Sequence, residues 1–172
     1  PKLDPLKQLS APLGVYAILG NHDEYKAAEA ARGWFEKAGI PLLLNRSKRI
    51  QKDGVAFSVA GADDDWYGQT DLAATFRDLA PDELALVMLH NPDLAPHAQE
   101  LLKSRPGPTV FFSGHTHGGQ IRLPFWGPVP RLPHHLGRKF DRGVFRFGRI
   151  PLVIGAGAGE SGTRARLFCP PE

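Results

Sequence analysis

The chain has 172 residues, of which 42% are hydrophobic and 23% charged, and this predicts a single globular domain over residues 1–172 with a sizeable core. The net charge of +3 is too small to indicate nucleic-acid binding, so no nucleic-acid partner is expected. The single cysteine, Cys169, excludes an intrachain disulfide, and no apolar run approaches the roughly 18 residues of a membrane-spanning helix.

The first part of the chain contains both helical and strand patterns. Leucines at a spacing of three predict the end of a helix near the start, and short continuous apolar runs predict buried strands. An Ala-rich segment that ends at Gly39 predicts a helix. In chain order, the predicted elements are a helix end in Pro1–Pro12, a strand at Val15–Leu19, a helix at Lys26–Ala38 and a hairpin with strands at Arg49–Ile50 and Val55–Gly61.

The later part continues the alternation and then becomes rich in strands. Short apolar strands that alternate with helices are typical of an α/β fold. The predicted helices are Asp71–Leu79 and Pro96–Lys103, and the predicted strands are Leu84–Leu89, Thr109–Phe112, Ile121–Leu123, Val144–Phe147, Pro151–Ile154 and Arg164–Phe168.

Three of the apolar runs have a histidine within three residues of their end. His22 follows the first predicted strand, His90 the run ending at Leu89, and His115 the run ending at Phe112. Taken alone, each histidine has an ordinary explanation as a turn, helix-cap or structural residue. Ligands in open α/β sheets collect outside the carboxyl ends of strands, so the recurrence favours one shared site.

The third of these histidines lies in a glycine-rich turn, Ser113–Gln120. Its glycines allow a close approach of the backbone to a ligand, and His115 and His117 are near enough in sequence to reach one ion. Imidazole and amide groups suit Mn, Fe or Zn. The alternative for these two histidines is a polar surface loop.

The ordered set Gly20-Asn21-His22-Asp23, then His90, then Gly114-His115-Thr116-His117 resembles the calcineurin-like metallophosphoesterases. The longer stretch from Ser113 to Pro124 is similar to their membrane-associated YkuE/YaeI-type phosphodiesterase branch, whose relatives cleave UDP-diacylglucosamine. The resemblance implies an αββα sandwich of two sheets, incomplete at the N-terminal side in this chain. It also implies a hydrolase that cleaves a phosphodiester or pyrophosphate, with a lipid or nucleotide-sugar lipid among its candidate substrates.

The same resemblance implies a role for each motif residue. Asn21, His90 and His115 would ligate one of two divalent metal ions (Mn, Fe or Zn), and His117 would ligate the other. His22 would contact the substrate phosphate, and Asp23 would orient His22. A hydroxide that bridges the two ions would be the nucleophile.

The chain departs from the family upstream of Asn21. The family's Asp-x-His and Gly-Asp motifs, which supply the bridging carboxylate, are not found in the twenty residues before Asn21. We therefore expect the C-terminal portion of a longer enzyme, inactive as an isolated fragment. The alternative is a non-catalytic half-domain that acts as a binding module. A mononuclear zinc hydrolase that uses His90, His115 and His117 is a third hypothesis, which leaves the Gly20–Asp23 motif unexplained.

A proline-rich loop follows the glycine-rich turn. Phe125 and Trp126 lie in it, and four cations cluster nearby: Arg131, Arg138, Lys139 and Arg142. Aromatic rings with adjacent cations are what a contact with an anionic membrane surface requires. The alternative is that both rings pack on the second sheet. The resemblance implies a membrane-associated or cytoplasmic-face location, and the sequence makes no prediction of oligomeric state.

Overall fold

A computed structural model describes residues 4–172, with the side chain of Lys26 excepted. Six strands form a mixed sheet in the order β1-β2-β3-β4-β8-β7, and β5 pairs with β6 in a separate two-stranded ribbon. The strands are β1 (Arg46–Lys52), β2 (Val55–Gly61), β3 (Leu84–Met88), β4 (Thr109–Ser113), β5 (Arg122–Leu123), β6 (Gly127–Pro128), β7 (Gly143–Phe147) and β8 (Ile150–Ile154).

The centre of the sheet is parallel. β2, β3, β4 and β8 run in one direction, whereas β1 and β7 are antiparallel edge strands. The hairpin predicted around Gly54 is confirmed, with Lys52 paired to Val55. Because parallel strands point the same way, the carboxyl ends of β2, β3 and β4 lie along one edge of the sheet. The segments that follow these strands are therefore neighbours in space.

Three helices accompany the sheet: α1 (Asn21–Lys37), α2 (Leu72–Phe76) and α3 (Ala95–Leu102). Leu72 of α2 and Ala98 of α3 belong to one buried cluster with Val87 and Phe111 of the sheet. Burying a side chain such as Phe111 contributes roughly 1.5–3 kcal/mol. This cluster fixes β3 and β4 side by side, and thereby fixes the two histidines that follow them.

The predicted strand Val15–Leu19 is not a strand of the sheet. Its pairing is a single bridge, in which the Ala17 N–H donates to Pro41 O (3.1 Å) and the Leu43 N–H donates to Ala17 O (2.8 Å). Leu19 is instead buried in a second apolar cluster with Phe35 of α1. The apolar run therefore reflects packing against a helix and not pairing in a ladder.

Two other boundaries differ from prediction. Helix α1 begins at Asn21, five positions before the predicted start, and passes through a non-helical residue at Ala27. The predicted strand Arg164–Phe168 forms one isolated bridge, between Ile121 and Leu167, because its surroundings are turns. Of the predicted helix end in Pro1–Pro12, residues 1–3 lie outside the described part, and Asp4–Gln8 is a 3-10 helix.

The predicted α/β class is confirmed. In the described residues the second sheet is the short β5–β6 ribbon, which follows the glycine-rich turn directly. No helix within residues 4–172 is long and apolar enough to cross a membrane.

Candidate metal centre

Three chain segments bring polar side chains to one point. The Nε2 atom of His90, just after β3, lies 3.0 Å from Asn21 Oδ1 at the start of α1. The same atom lies 3.1 Å from Nδ1 of His115, just after β4. Two imidazoles and one amide that are distant in sequence thus share a site at the carboxyl edge of the sheet, as the strand-end pattern predicts.

The ring of His115 is oriented by the proline-rich loop. Its Nε2 atom donates to Pro133 O at 2.8 Å. A carbonyl oxygen only accepts, so the hydrogen is on Nε2 and the neutral ring keeps its lone pair on Nδ1, the nitrogen that faces His90. Such a backbone contact is how proteins fix the tautomer and orientation of a metal-binding histidine.

The glycine-rich turn holds three residues other than glycine in left-handed backbone conformations. They are His115 (φ 67°), His117 (φ 53°) and Gln120 (φ 48°). Such conformations cost of order 1–3 kcal/mol each and concentrate at functional sites. The amide of Gln120 supports the turn, because its Nε2 atom donates to Thr163 O at 2.6 Å and its Oε1 atom accepts from the Ser161 N–H at 2.9 Å.

The site favours neutral imidazoles. Burial of the His90 ring, with further contributions from nearby histidines, lowers its pKa to about 3. Burial is also the main reason why the pKa values of His115 and His117 are lowered. A neutral imidazole is the form that binds a metal ion.

Gly20 permits the close approach of Asn21 and His90. A Cβ atom at Gly20 would lie 2.5 Å from Cε1 of His90, a distance that real Cβ contacts do not reach. Gly20 is also the N-cap of α1, and its N–H donates to Asp23 Oδ2 at 3.0 Å. Asp23 thus stabilises the helix start, and its proposed role in orienting His22 stays a prediction.

A cavity of about 350 Å³ opens beside the imidazoles, and its lining includes Asn21, His22, His115 and His117. His22 is exposed, and its Nε2 atom lies 3.2 Å from Ser161 Oγ. Four of the predicted site residues therefore line one cavity, and the fifth, His90, contacts two of them, Asn21 and His115.

Aromatic side chains form one wall of this cavity: Tyr25, Trp66 and Tyr67. The Trp66 ring meets His115 edge-on at 4.8 Å between centroids. Asp64, only 1% exposed, holds the loop after β2, because its Oδ2 atom accepts from the N–H groups of Trp66 (3.0 Å) and Tyr67 (2.8 Å). A buried carboxylate thus holds the backbone from which both exposed rings project.

The sequence-based predictions did not include the aromatic side chains of this wall or Ser161. Trp66 and Tyr67 follow β2, which is parallel to β3, so the strand-end argument that located His90 could also have located them. Ser161 carried no comparable signal, because it reaches His22 from a glycine-rich tail with no regular structure.

The donor set fits one divalent ion. Asn21 Oδ1, His90 Nε2 and His115 Nδ1 are an oxygen and two nitrogens, which suit Mn, Fe or Zn. Within residues 4–172, no group of three or more His, Cys, Asp or Glu side chains is arranged to hold a metal. Within residues 4–172, the cluster therefore contains an amide oxygen and imidazole nitrogens, and no carboxylate joins two of these imidazoles in a metal-binding group.

Comparison with known proteins gives the family. The sequence model for calcineurin-like phosphoesterases matches residues 2–119. The chain is 31% identical to the uncharacterized metallophosphoesterase YkuE of Bacillus subtilis over 170 residues, covering 97% of this chain and 57% of YkuE. It is 31% identical to phosphodiesterase YaeI of Escherichia coli over 172 residues, covering 98% of this chain and 60% of YaeI.

A Bos taurus transmembrane protein with a metallophosphoesterase domain is 31% identical over 138 residues, covering 68% of this chain and 29% of that protein. No solved structure matches the chain. The chain spans less than two thirds of the length of YkuE and YaeI, 57% and 60% respectively. With its family model matched over more than half of its residues, the chain belongs to the calcineurin-like phosphoesterase family.

Proposed function

We propose that this chain contributes the amide and imidazole side of a dinuclear metal centre that hydrolyses a phosphodiester or pyrophosphate. The observation that carries the proposal is the approach of Asn21 Oδ1 and His115 Nδ1 to within 3.1 Å of His90 Nε2. These groups would hold one divalent ion, and His117 would contribute to the second. The chemistry that such ions supply when bound is polarisation of phosphoryl oxygens and activation of water.

His22 is suited to act on the leaving group. Its ring lines the cavity without belonging to the His90–His115 pair, so it can meet a phosphate that lies against the metal-binding side chains. We propose that its Nε2 atom donates a proton to the departing oxygen, with Ser161 Oγ as its partner before substrate binds. General acid catalysis of this kind contributes roughly 10²–10⁴-fold to a rate.

The aromatic wall of the cavity indicates which class of substrate the site could accept. Trp66 and Tyr67 place apolar ring faces beside polar groups that would bind phosphate. We propose that these rings accept the ester group beyond the phosphate and exclude water from the reacting centre. A lipid phosphodiester or a nucleotide-sugar lipid has both a phosphate and the apolar or ring-bearing group that such a wall fits.

A second candidate is a non-catalytic binding module. It is favoured by one observation, the absence of a carboxylate from the imidazole set within residues 4–172. The two candidates differ in what the full-length protein does with a phosphodiester, because only the enzyme turns it over.

The test measures metal content and hydrolysis of bis(p-nitrophenyl) phosphate by the full-length protein supplied with Mn²⁺. Asn21→Ala and His115→Ala should each lower metal affinity by more than the roughly 10–100-fold expected when a partner of a ligand is removed, with a parallel loss of turnover. His135→Ala is the matched control, because His135 is exposed and contacts Asp93 through its backbone N–H, which the substitution keeps. Absence of hydrolysis by wild type with Mn²⁺, Fe²⁺ or Zn²⁺ would favour the binding module.

A further inference from the structure

The tip of the β5–β6 ribbon presents large aromatic rings to solvent. Phe125 is 111% exposed and Trp126 is 71% exposed, so neither ring packs on the second sheet. Phe168, 60% exposed, lines the same groove of about 620 Å³. Single exposed apolar residues are ordinary, but three aromatic rings around one groove are typical of an interaction surface.

The backbone holds these rings outward. The ribbon pairs Arg122 with Pro128 and Leu123 with Gly127, which leaves Phe125 at the tip. Phe125 adopts a left-handed conformation with φ of 64°, which is unfavourable for a residue with a bulky side chain. No packing of its own ring compensates for this conformation, because the side chain is fully exposed.

The charge around the groove is positive. Among residues 4–172, Asp141 is the one carboxylate that lines the groove, and it pairs with Arg122. Three further cations line the groove: Arg138, Lys139 and Arg142. In the part of the chain that the structure describes, none of these three forms an ion pair. The groove therefore combines exposed rings with a net excess of three positive charges.

We propose that this docking surface, formed by Phe125, Trp126, Phe168, Arg138, Lys139 and Arg142, binds the surface of an anionic lipid bilayer. Aromatic rings partition into the boundary between headgroups and acyl chains. Each Lys or Arg near an anionic surface adds attraction that is screened by salt. A protein partner is the competing occupant, but an open groove with exposed rings and unpaired cations matches a fluid anionic surface without requiring a complementary shape.

The docking surface is joined to the metal-binding turn. Arg122 Nη1 donates to Gly118 O at 3.2 Å, and Gly119 packs so closely on Pro128 of β6 that a Cβ atom there would lie 2.3 Å from Pro128 Cβ. Docking would therefore hold the turn that carries His115 and His117 next to the bilayer. The docking itself does not depend on hydrolysis, so it stands or fails independently of the proposed function.

The test is co-sedimentation of the full-length protein, with any separate membrane-spanning anchor deleted, with vesicles of phosphatidylcholine and phosphatidylglycerol. Wild type should pellet with these vesicles, and far less with phosphatidylcholine alone. The double variant Phe125→Ser/Trp126→Ser should stay in the supernatant. Arg138→Gln and Lys139→Gln should each weaken vesicle binding about fivefold, an effect that high salt removes.

Matched controls separate docking from loss of folding. Val55→Ser/Val144→Ser removes two side chains that are 67% and 71% exposed outside the groove, and it should pellet like wild type. Every variant should keep the wild-type melting temperature. A blue shift of tryptophan emission on vesicle binding should vanish in Trp126→Phe, which should still pellet.

Three outcomes would overturn the proposal. They are no pelleting of wild type, equal pelleting of wild type and Phe125→Ser/Trp126→Ser, and equal binding to neutral and anionic vesicles. A wild type that stays in solution while binding a protein partner through Trp126 would assign the surface to that partner.

Discussion

The candidate metal cavity and the proposed docking surface depart from the usual distribution of side chains in opposite ways. Polar groups are buried in the cavity, whereas apolar rings are exposed at the docking surface. The cavity collects polar groups away from water, with His115 buried and the pKa of His90 lowered to about 3 by burial. The docking surface instead holds Phe125 and Trp126 in water. Each arrangement is unfavourable when it is uncovered, and the proposed ligands, a metal ion in one region and a bilayer in the other, would offset that cost.

The two proposed ligand sites lie on one short stretch of chain. His117 lies in the turn before β5, and Phe125 lies eight residues later at the tip of the ribbon. The glycine-rich turn has several residues other than glycine with positive φ, and the hydrogen bonds of the Gln120 side chain stabilise it. At the ribbon tip, Phe125 alone among the described residues other than glycine has positive φ. Variants that affect one region and spare the other can therefore separate the two functions.

The largest expected effect separates chemistry from docking. In the full-length protein, His22→Ala should lower turnover by roughly 10²–10⁴-fold, because the leaving oxygen would lose the proton donor proposed for it. Metal content should stay near wild type, since His22 lies outside the Asn21–His90–His115 set. Vesicle binding should not change. The measurements are steady-state kinetics with a substrate that has a poor leaving group, elemental analysis for metal content, and co-sedimentation with vesicles. Full turnover by His22→Ala would show that His22 is not the proton donor.

Gly119→Ala should damage both regions at once. The φ of 74° at Gly119 makes any other residue cost about 1–2 kcal/mol. The contact with Pro128 adds a clash of the overpacking kind, roughly 1–3 kcal/mol. Chemical denaturation should show this lower free energy of unfolding, with weaker metal binding and weaker vesicle binding in the same variant.

The matched control for that variant is Gly137→Ala. Gly137 also has positive φ (94°), but a Cβ atom there meets nothing within 4 Å. The free energy of unfolding of Gly137→Ala should fall only by the cost of positive φ, and this variant should keep metal binding and vesicle binding. If Gly119→Ala and Gly137→Ala were equally stable, Pro128 would not be the link between the turn and the ribbon.

The sequence was sufficient for the parts of the molecule that depend on local pattern. Apolar runs located β3 and β4, and the recurrence of histidines at strand ends favoured the shared site in which His90 and His115 meet. The prediction failed for Val15–Leu19, because an apolar run does not distinguish a strand in a sheet from an extended segment packed on a helix. Asn21 nevertheless reached the site, because Gly20 allows α1 to start against His90.

Other features depend on contacts between distant segments, which no local pattern records. Pro133 orients His115 from 18 positions along the chain, and Ser161 reaches His22 across 139 positions. The exposure of Phe125 and Trp126 was one of two alternatives in the sequence, because composition alone does not say whether a loop aromatic faces the core or the solvent.

The last expected effect, about 1.4 kcal/mol for each pH unit, is a pH dependence that should appear in the cavity and not at the docking surface. In the folded, metal-free protein the pKa of His90 is about 3, whereas in the unfolded chain it is near its usual 6.5. Between these values the unfolded chain binds one more proton, so stability is present above about pH 6.5 and is lost as the pH falls towards 3. The loss from His90 alone is about 1.4 kcal/mol per pH unit, and the lowered pKa values of His115 and His117 act in the same direction. Among the described residues, the lining of the docking groove contains no histidine, so binding to phosphatidylglycerol vesicles should be constant between pH 7 and the onset of acid unfolding. Urea denaturation of the chelator-treated full-length protein at a series of pH values measures the slope, with His90→Gln as the variant that should flatten it. A wild-type slope no steeper than that of His90→Gln would mean that the His90 imidazole is not the buried neutral group on which the metal site depends.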